Sequence, residues 1–546
     1  MFQIAQNPIK PPGSDADFCI SNEISEITED DCDEVFSIIN SLDIKKDGQI
    51  YVPIVQYLAI GQTSVIFPII IQNRLEEEIQ KTNPDSVHIL SDVEPIYQAV
   101  IEDTIDENTK IISDISNSKS TYRRIITYFS IFAKILYILM EHLILALLPS
   151  TEQHETDIVF VRHRAKSESI DPVISETYGD YVVVSPDTKL RHIWIDTDYP
   201  SITDYINLKA WWDEVVFYKH LLKTVYLSDE FSQKIATKLE SNHEIAVPRT
   251  LNWVINDIFT SNTAEKFRYR FLTQSLISRV GCNSLVVSTL SPSGRAILQA
   301  AQENGVDAYH VPHSVITPYF SSVEGTQHFV CGELDMLYLK QLPQITDLDN
   351  FLPYGRPYFY ELNRNWETKP NNRDHYLIVI ATQPTDYRFE FIQSVLTAIE
   401  QSSLDVVVEI KIHPGESADD YQEYTARNNG KIRIATDQLF ERLSRADLVV
   451  TKNSNVGFEG MIMGTPCIGV NYWSPKTRLF SYQIYGPVPV YRDESSLQNF
   501  FANINKQKLD KIGNKQKYFA EKTLQLSENP AKKIAKAISE KGNTSS

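Results

Sequence analysis

"LVVTKNSNVGFEGMIMGTPCIGV", residues 448–470, reads as strand, loop, helix, stop and strand. "DLVVT" is apolar and β-branched, as a strand buried on both faces must be. "FEGMIMG" continues as helix, and Gly464 supplies the residue that can turn a helix back through positive φ. "PCIGV" is the next strand. A strand, helix and strand at this spacing form a βαβ unit, the building block of a parallel sheet covered by helices.

Working outward, the alternation persists. Upstream come "YLIVIAT" (strand), "FEFIQSVLTAIEQS" (helix), "DVVVEIKI" (strand) and "QLFERLSRA" (helix). Earlier still, "SVHILSD", "TKIISD", "DIVFVRH", "KTVYLSD", "NSLVVST" and "DAYHVPH" read as strands. A stretch dense in Pro, Gly and Asn, 345–374, separates the two series. The expected fold class is α/β, with two Rossmann-like doubly wound domains facing across a cleft and ligands at the carboxyl ends of the strands. The expected divisions are an acidic, flexible leader at 1–35, an N-terminal acceptor domain at 36–350 and a linker at 351–373. A nucleotide-donor domain at 374–525 and a basic helix or tail at 526–546 complete them. The N-terminal half also carries a long apolar helix, 123–149 ("RRIITYFSIFAKILYILMEHLILALLP"). Thr127, Ser130, Lys134, Tyr137 and Glu141 form a polar stripe along it, which favours a helix lying in a membrane surface, or one buried in the fold or an oligomer, over one spanning the bilayer.

Bulk numbers narrow the function. The 546 residues exceed one core, so several domains are expected. The net charge of −19 argues against a nucleic-acid binder, whose surface would be basic. Five scattered cysteines without a CxxC pair suit reduced thiols rather than disulfides or zinc. The start, "MFQIAQNPIKPPGSDAD", has no apolar core of a secretory signal, so the expected location is cytoplasmic, peripheral to the membrane.

Two loops carry candidate chemistry. "KIHPGE" (411–416) presents His413 where a strand leaves the sheet, since Pro414 cannot continue the ladder. Its imidazole can donate to a phosphate oxygen, with Lys411 or Glu416 tuning it. "TKNSNVG" (451–457) joins strand to helix, so the amides from Asn453 through Asn455 to Gly457 form an anion cradle, to which Ser454 adds a hydroxyl. Glu459 lies outside the spacing of a capping box and is free to accept the hydroxyls of a ribose. Gln383, Asp386 and Arg388 of "ATQPTDYR" line the same pocket, and "GELD" (332–335) reads as ordinary loop.

These motifs, with "GRP" (355–357) between the two halves, resemble the nucleotide-binding half of GT-B glycosyltransferases that build surface polysaccharides. The nearest groups are capsule-export-linked transferases, polysialyltransferases and CDP-glycerol glycerophosphotransferases. The resemblance covers 330–500 well and thins before 280. It implies that His413 and Ser454 hold the donor's phosphates and Glu459 its ribose. It also implies that His313, in "AYHVPHSVITPYF", is the base, although Val-Pro and Ser314 replace the family's Trp and Gly there. His163 and Glu168 are further candidates for the base. The implied activity is inverting sugar transfer from a nucleotide-activated sugar to a lipid-linked or polysaccharide acceptor, with no metal and no other cofactor. A CDP-glycerol or polyol-phosphate transferase, or a non-catalytic scaffold at the membrane, would share the scaffold. A nucleotide-sugar 2-epimerase shares the second half but needs further carboxylates in the crevice.

Overall fold

The computed structural model of the protein describes most of 155–186 and 263–542, the segment 199–205 and, elsewhere, chiefly four short strands and a helical stretch at 74–82. The strand expected at 223–229 and almost all of the apolar stretch 123–149 lie outside these residues. Of the latter, Leu136, Tyr137 and Met140 are described, helical and exposed. Among the described residues no helix is long and apolar enough to cross a membrane.

The described strands, β1 to β16, form three parallel sheets. The last contains β11 (Tyr376–Ala381), β12 (Val406–Lys411), β13 (Ile432–Ala435), β14 (Leu448–Thr451), β15 (Cys467–Val470) and β16 (Val490–Tyr491). Its order is β13-β12-β11-β14-β15-β16, the 3-2-1-4-5-6 order of a dinucleotide fold. Ile378, Ile380, Val408, Ile410, Leu448 and Val450 pack beneath the helices Arg388–Glu400 and Glu494–Ala502. The alternate residues Val379 and Val449 pack beneath Val456–Met463. A sheet covered on both faces has no polar side, which is why its strands read as unbroken apolar runs. Gly464 ends the helix at φ 85°, as its position implied.

The middle sheet holds β5 (Ile158–Val161), β6 (Tyr181–Val184), β7 (Ser284–Val287), β8 (Asp307–His310), β9 (Gln327–Phe329) and β10 (Phe351–Leu352), in the order β10-β9-β8-β7-β5-β6. One face rests on the helices Thr263–Val280 and Pro292–Glu303. The other is closed by Ser167–Glu176 and by a helix from beyond the second domain, Pro530–Gly542. Ala531, Ile534, Ala535 and Ile538 of that helix lie at i, i+3, i+4 and i+7 and pack with Ile158, Phe160, Ile170 and Val173. The segment expected as a basic helix or tail is a helix that packs into the first domain's core.

Two further expectations change. Residues 1–35 contribute β1 (Phe2–Ala5) and β2 (Phe18–Cys19), which join β3 (Ser86–Ile89) and β4 (Lys110–Ser113) in a sheet of their own, β2-β1-β3-β4. The leader thus contains paired strands, and the alternation at 86–113 does not enter the first Rossmann-like sheet. The expected linker, 351–373, contains edge strand β10 and the helix Pro357–Asn365. Pro357 sits at the helix start, where its missing N–H costs nothing. This helix buries Phe359 and Leu362 in one cluster with Val315 of the first domain and Phe458, Met461 and Tyr482 of the second. Two parallel-sheet α/β domains joined in this way fit the GT-B arrangement.

Candidate functional site

The switch point of the last sheet lies between β11 and β14, where successive connections run to opposite sides and a crevice opens. Gln383, just past β11, bridges it. Its Nε2 donates to the carbonyl of Asn453 (2.6 Å), and its Oε1 accepts from the Asn453 amide (3.2 Å). Both polar ends of Gln383 are committed, so it braces the cradle rather than lining a pocket.

The cradle itself is partly closed. Ser454 Oγ accepts from the Val456 amide (3.3 Å), while its hydroxyl hydrogen is not used by that bond. The carbonyl of Ser454 accepts from Tyr482 Oη (2.8 Å) and from the Gly457 amide (3.1 Å). Gly457 permits this approach, because a Cβ there would stand 2.6 Å from Tyr482 Oη and 2.7 Å from its ring. Its role is to admit Tyr482, and it is buried rather than open to a ligand. Asn455 begins the helix without a side-chain cap bond. The Oδ1 atoms of Asn453 and Asn455 are buried and meet no partner among the described residues.

His413 is exposed at the tip of β12, next to β11 in the sheet. Its loop is stapled by Glu416, whose carboxylate accepts from the His413 amide (2.9 Å), from Tyr421 Oη (2.6 Å) and from Thr382 Oγ1. Glu416 therefore holds the backbone of His413, not its ring. The ring is set by Gly415, whose amide donates to His413 Nδ1 (3.0 Å). With Nδ1 an acceptor, the neutral ring carries its hydrogen on Nε2 and presents a donor to solvent. Lys411 is turned away, since its Nζ donates to the carbonyls of Ile412 (2.8 Å) and Thr436 (3.1 Å). Burial lowers its pKa. Arg388 is engaged by Asp420 (3.2 Å) and Glu416 (3.8 Å). Asp386 lies outside the described residues.

Glu459 departs most from expectation. It is 6% exposed and faces the interdomain helix, not an open crevice. Its Oε1 accepts from Tyr358 Oη (2.9 Å), and Oε2 meets no partner among the described residues. One oxygen, not two, remains for a hydroxyl. Burial raises the Glu459 pKa, against the opposing Tyr358 hydrogen bond and the charge of Arg356. Arg356, 3% exposed, lies over the rings of Tyr358 (4.5 Å) and Phe359 (4.7 Å), and its Nη2 is 3.8 Å from Glu168. Its Nε and Nη1 meet no partner among the described residues. Arg356 and Tyr358 were not singled out by sequence reasoning, although Arg356 is the middle residue of "GRP".

Across the cleft, His313 follows β8 and is half-buried. Two residues on, Val315 belongs to the cluster that holds Phe458 and Tyr482, which ties the His313 loop to the cradle's own supports. Asp335 fixes the same loop, accepting from the amides of Ile316 (3.3 Å) and Cys331 (2.8 Å). Burial pushes its carboxyl up to about 6. "GELD" is thus not plain loop: Glu333 starts a helix and Asp335 is a buried staple. His310 and His328 lie on one face of neighbouring strands, Nδ1 to Nδ1 at 3.3 Å. Among the described residues no cluster of His, Cys, Asp and Glu is grouped to hold a metal ion.

No protein-family model matches the chain, and no curated protein does. Solved structures do resemble it. The S. aureus MnaA–UDP co-structure aligns at TM-score 0.45 and 10% identity, over 71% of this chain and 97% of the other. MurG of Acinetobacter baumannii aligns at 0.43 and 10%, over 71% and 99%. A glycosyltransferase from Rickettsia africae aligns at 0.42 and 11%, over 72% and 100%. The architecture given above rests on strand order, not on these likenesses.

Proposed function

We propose that the protein is an inverting glycosyltransferase. It moves a sugar from a nucleotide-sugar donor to a hydroxyl of a lipid-linked or growing surface glycan on the cytoplasmic side of a membrane. The observation that carries this reading is the two-point bond from Gln383 to the backbone of Asn453. It holds a helix start, closed in part by Ser454, at the mouth of a switch-point crevice. Such a start favours anions through its amides and its dipole. The Nε2–H of His413 and the hydroxyl of Ser454 add two donors for the donor's phosphates. Oε2 of Glu459 accepts one ribose hydroxyl once the crevice opens around it.

His313 serves as the base. It takes the proton of the acceptor hydroxyl as that oxygen attacks the anomeric carbon from the face opposite the leaving group. The nucleoside phosphate departs with its charge met by His413, Ser454 and the helix start, without a metal in the step.

Titration calorimetry with UDP, GDP, CDP and CMP, followed by turnover of the matching sugar nucleotides and of CDP-glycerol, tests the reading. One nucleotide should bind, its sugar nucleotide should turn over, and His313→Ala should lower kcat while sparing nucleotide affinity. Turnover of CDP-glycerol alone would move the assignment to polyol-phosphate transfer, and binding without turnover of any donor would leave a scaffold.

A further inference from the structure

The helix Lys506–Thr523 buries Leu509, Gly513, Gln516 and Ala520. On the face turned away from these stand Lys508, Lys511, Lys515, Tyr518 and Lys522, at successive spacings of three, four, three and four. That spacing makes a single row along the helix, roughly 21 Å from end to end. All five side chains are exposed, and Tyr518 is 63% so.

Among the described residues none of the four lysines in the row is in an ion pair, although the chain has 71 acidic side chains against 52 basic ones. Lys508 Nζ donates to the Asn503 carbonyl, and Lys522 Nζ lies 5.5 Å from the centre of the Tyr518 ring. The next helix behaves differently: Lys533 pairs with Glu528, and Lys536 with Glu540. At the N-terminal end of the row opens a cavity of about 470 Å³, lined by Ser496, Asn499, Phe500, Asn503, Lys508 and Lys511 among others. Most of its polar atoms are already engaged, Ser496 Oγ with Asp493, Asn503 Nδ2 with Asn499 and Lys508 Nζ with the Asn503 carbonyl, so what it adds to this face is the Lys511 cation beside the Phe500 ring.

We infer that this face docks the protein on a bilayer containing anionic phospholipid. The lysine row lies along the headgroups, and Tyr518 sits at the polar–apolar boundary. A straight row with an exposed tyrosine between Lys515 and Lys522 suits a plane. A chain of net charge −19 is repelled as a whole by an anionic surface, so a row of cations on one face also favours one orientation of docking. The inference is independent of the transfer reading, because no residue of the candidate site lies on this helix. It also places a membrane contact apart from the stretch 123–149.

Flotation of the full chain with vesicles of phosphatidylcholine, alone or mixed with phosphatidylglycerol, tests it. Binding is expected only to the mixed vesicles and should weaken as salt is raised. The combined variant Lys511→Glu, Lys515→Glu and Lys522→Glu should lower the partition at least roughly ten-fold, with near-UV circular dichroism and nucleotide affinity unchanged. Lys532→Glu with Lys536→Glu serves as the control and should have little effect. If the charge reversal alters the fold, the corresponding Lys→Gln variant carries the same expectation. Equal flotation of variant and parent, equal binding to neutral vesicles, or row-dependent binding of heparin without any vesicle binding would each overturn the inference.

Discussion

Two helix starts occupy corresponding places in the two domains, each following a sheet strand, and they are finished differently. After β7, Ser291 caps the helix Pro292–Glu303 by accepting from the Gly294 amide (3.3 Å), and Pro292 removes one further donor. After β14, Asn455 makes no cap bond and its Oδ1 lies buried without a partner among the described residues. The first start is closed by a side chain and a proline; at the second, Ser454 takes the Val456 amide on its Oγ and the Gly457 amide on its carbonyl, which leaves its hydroxyl hydrogen as the donor in reserve. Under the proposed reading that hydroxyl, with the helix dipole, meets the donor's phosphate.

The glycines in the two first turns give the largest expected effects. A Cβ at Gly294 would stand 2.0 Å from the Thr289 carbonyl oxygen, part of the backbone, while one at Gly457 would press on the Tyr482 ring. Gly294→Ala should destabilise the chain by at least about 3 kcal/mol and Gly457→Ala by about 2–3 kcal/mol, read as thermal midpoints. Only the second should also lower nucleotide affinity in whatever remains folded. Equal losses of affinity from both would erase the distinction between the domains.

The first domain, closed at its helix start, holds a different reserve in its interior. His328 Nε2 accepts from the Val323 amide (3.2 Å), so its hydrogen sits on Nδ1 and points at His310 Nδ1. Burial and the nearby charge of Arg295 bring the His328 pKa down to about 3. A folded pKa below the unfolded value near 6.5 means that the neutral ring's stability is fully present above pH 6.5 and is lost as pH falls toward 3. The thermal midpoint should therefore fall over that range, and more shallowly in His328→Gln. An unchanged slope would show that the pair does not govern acid stability.

At the second domain's edge, His413→Ala should weaken nucleotide binding by roughly 1–3 kcal/mol in calorimetry, without a matching loss of stability, because the ring is exposed. The smallest effects sharpen the opening contrast. Ser291→Ala should cost about 1 kcal/mol of stability and leave nucleotide affinity alone. Asn455→Ala should cost almost no stability and should reduce nucleotide affinity. A reversal of these two outcomes would put the anion site in the wrong domain.

Much of this was legible in the sequence. Apolar runs gave β5, β7 and β8 of the middle sheet and β11, β12, β14 and β15 of the last, but not β6, β9, β10, β13 or β16, which lie toward the sheet edges, and Gly464 marked its helix end. What could not be read was decided by partners far away in the chain. Periodicity says that 86–89 is a strand but not that it pairs with 2–5. It says that 530–542 is amphipathic but not which sheet it covers. Glu459 was judged by its spacing from a helix cap, whereas its surroundings are set by Tyr358, 101 residues away. Gln383 and Lys411 have the chemistry of pocket residues, yet nearby backbone groups had already claimed their polar atoms.

The helix Pro530–Gly542 has a consequence for how the molecule comes into being. The surface that it covers begins with residues 158 to 173 and is completed by Val286, Tyr309 and Phe329, so its first part waits while some 350 further residues are added. At ribosomal rates of about 5–20 residues per second the wait is on the order of 20–70 s. During it, Ile158, Phe160, Ile170 and Val173 are open to other nascent chains, and a chaperone that shields them until residue 538 emerges would raise the yield of active molecules.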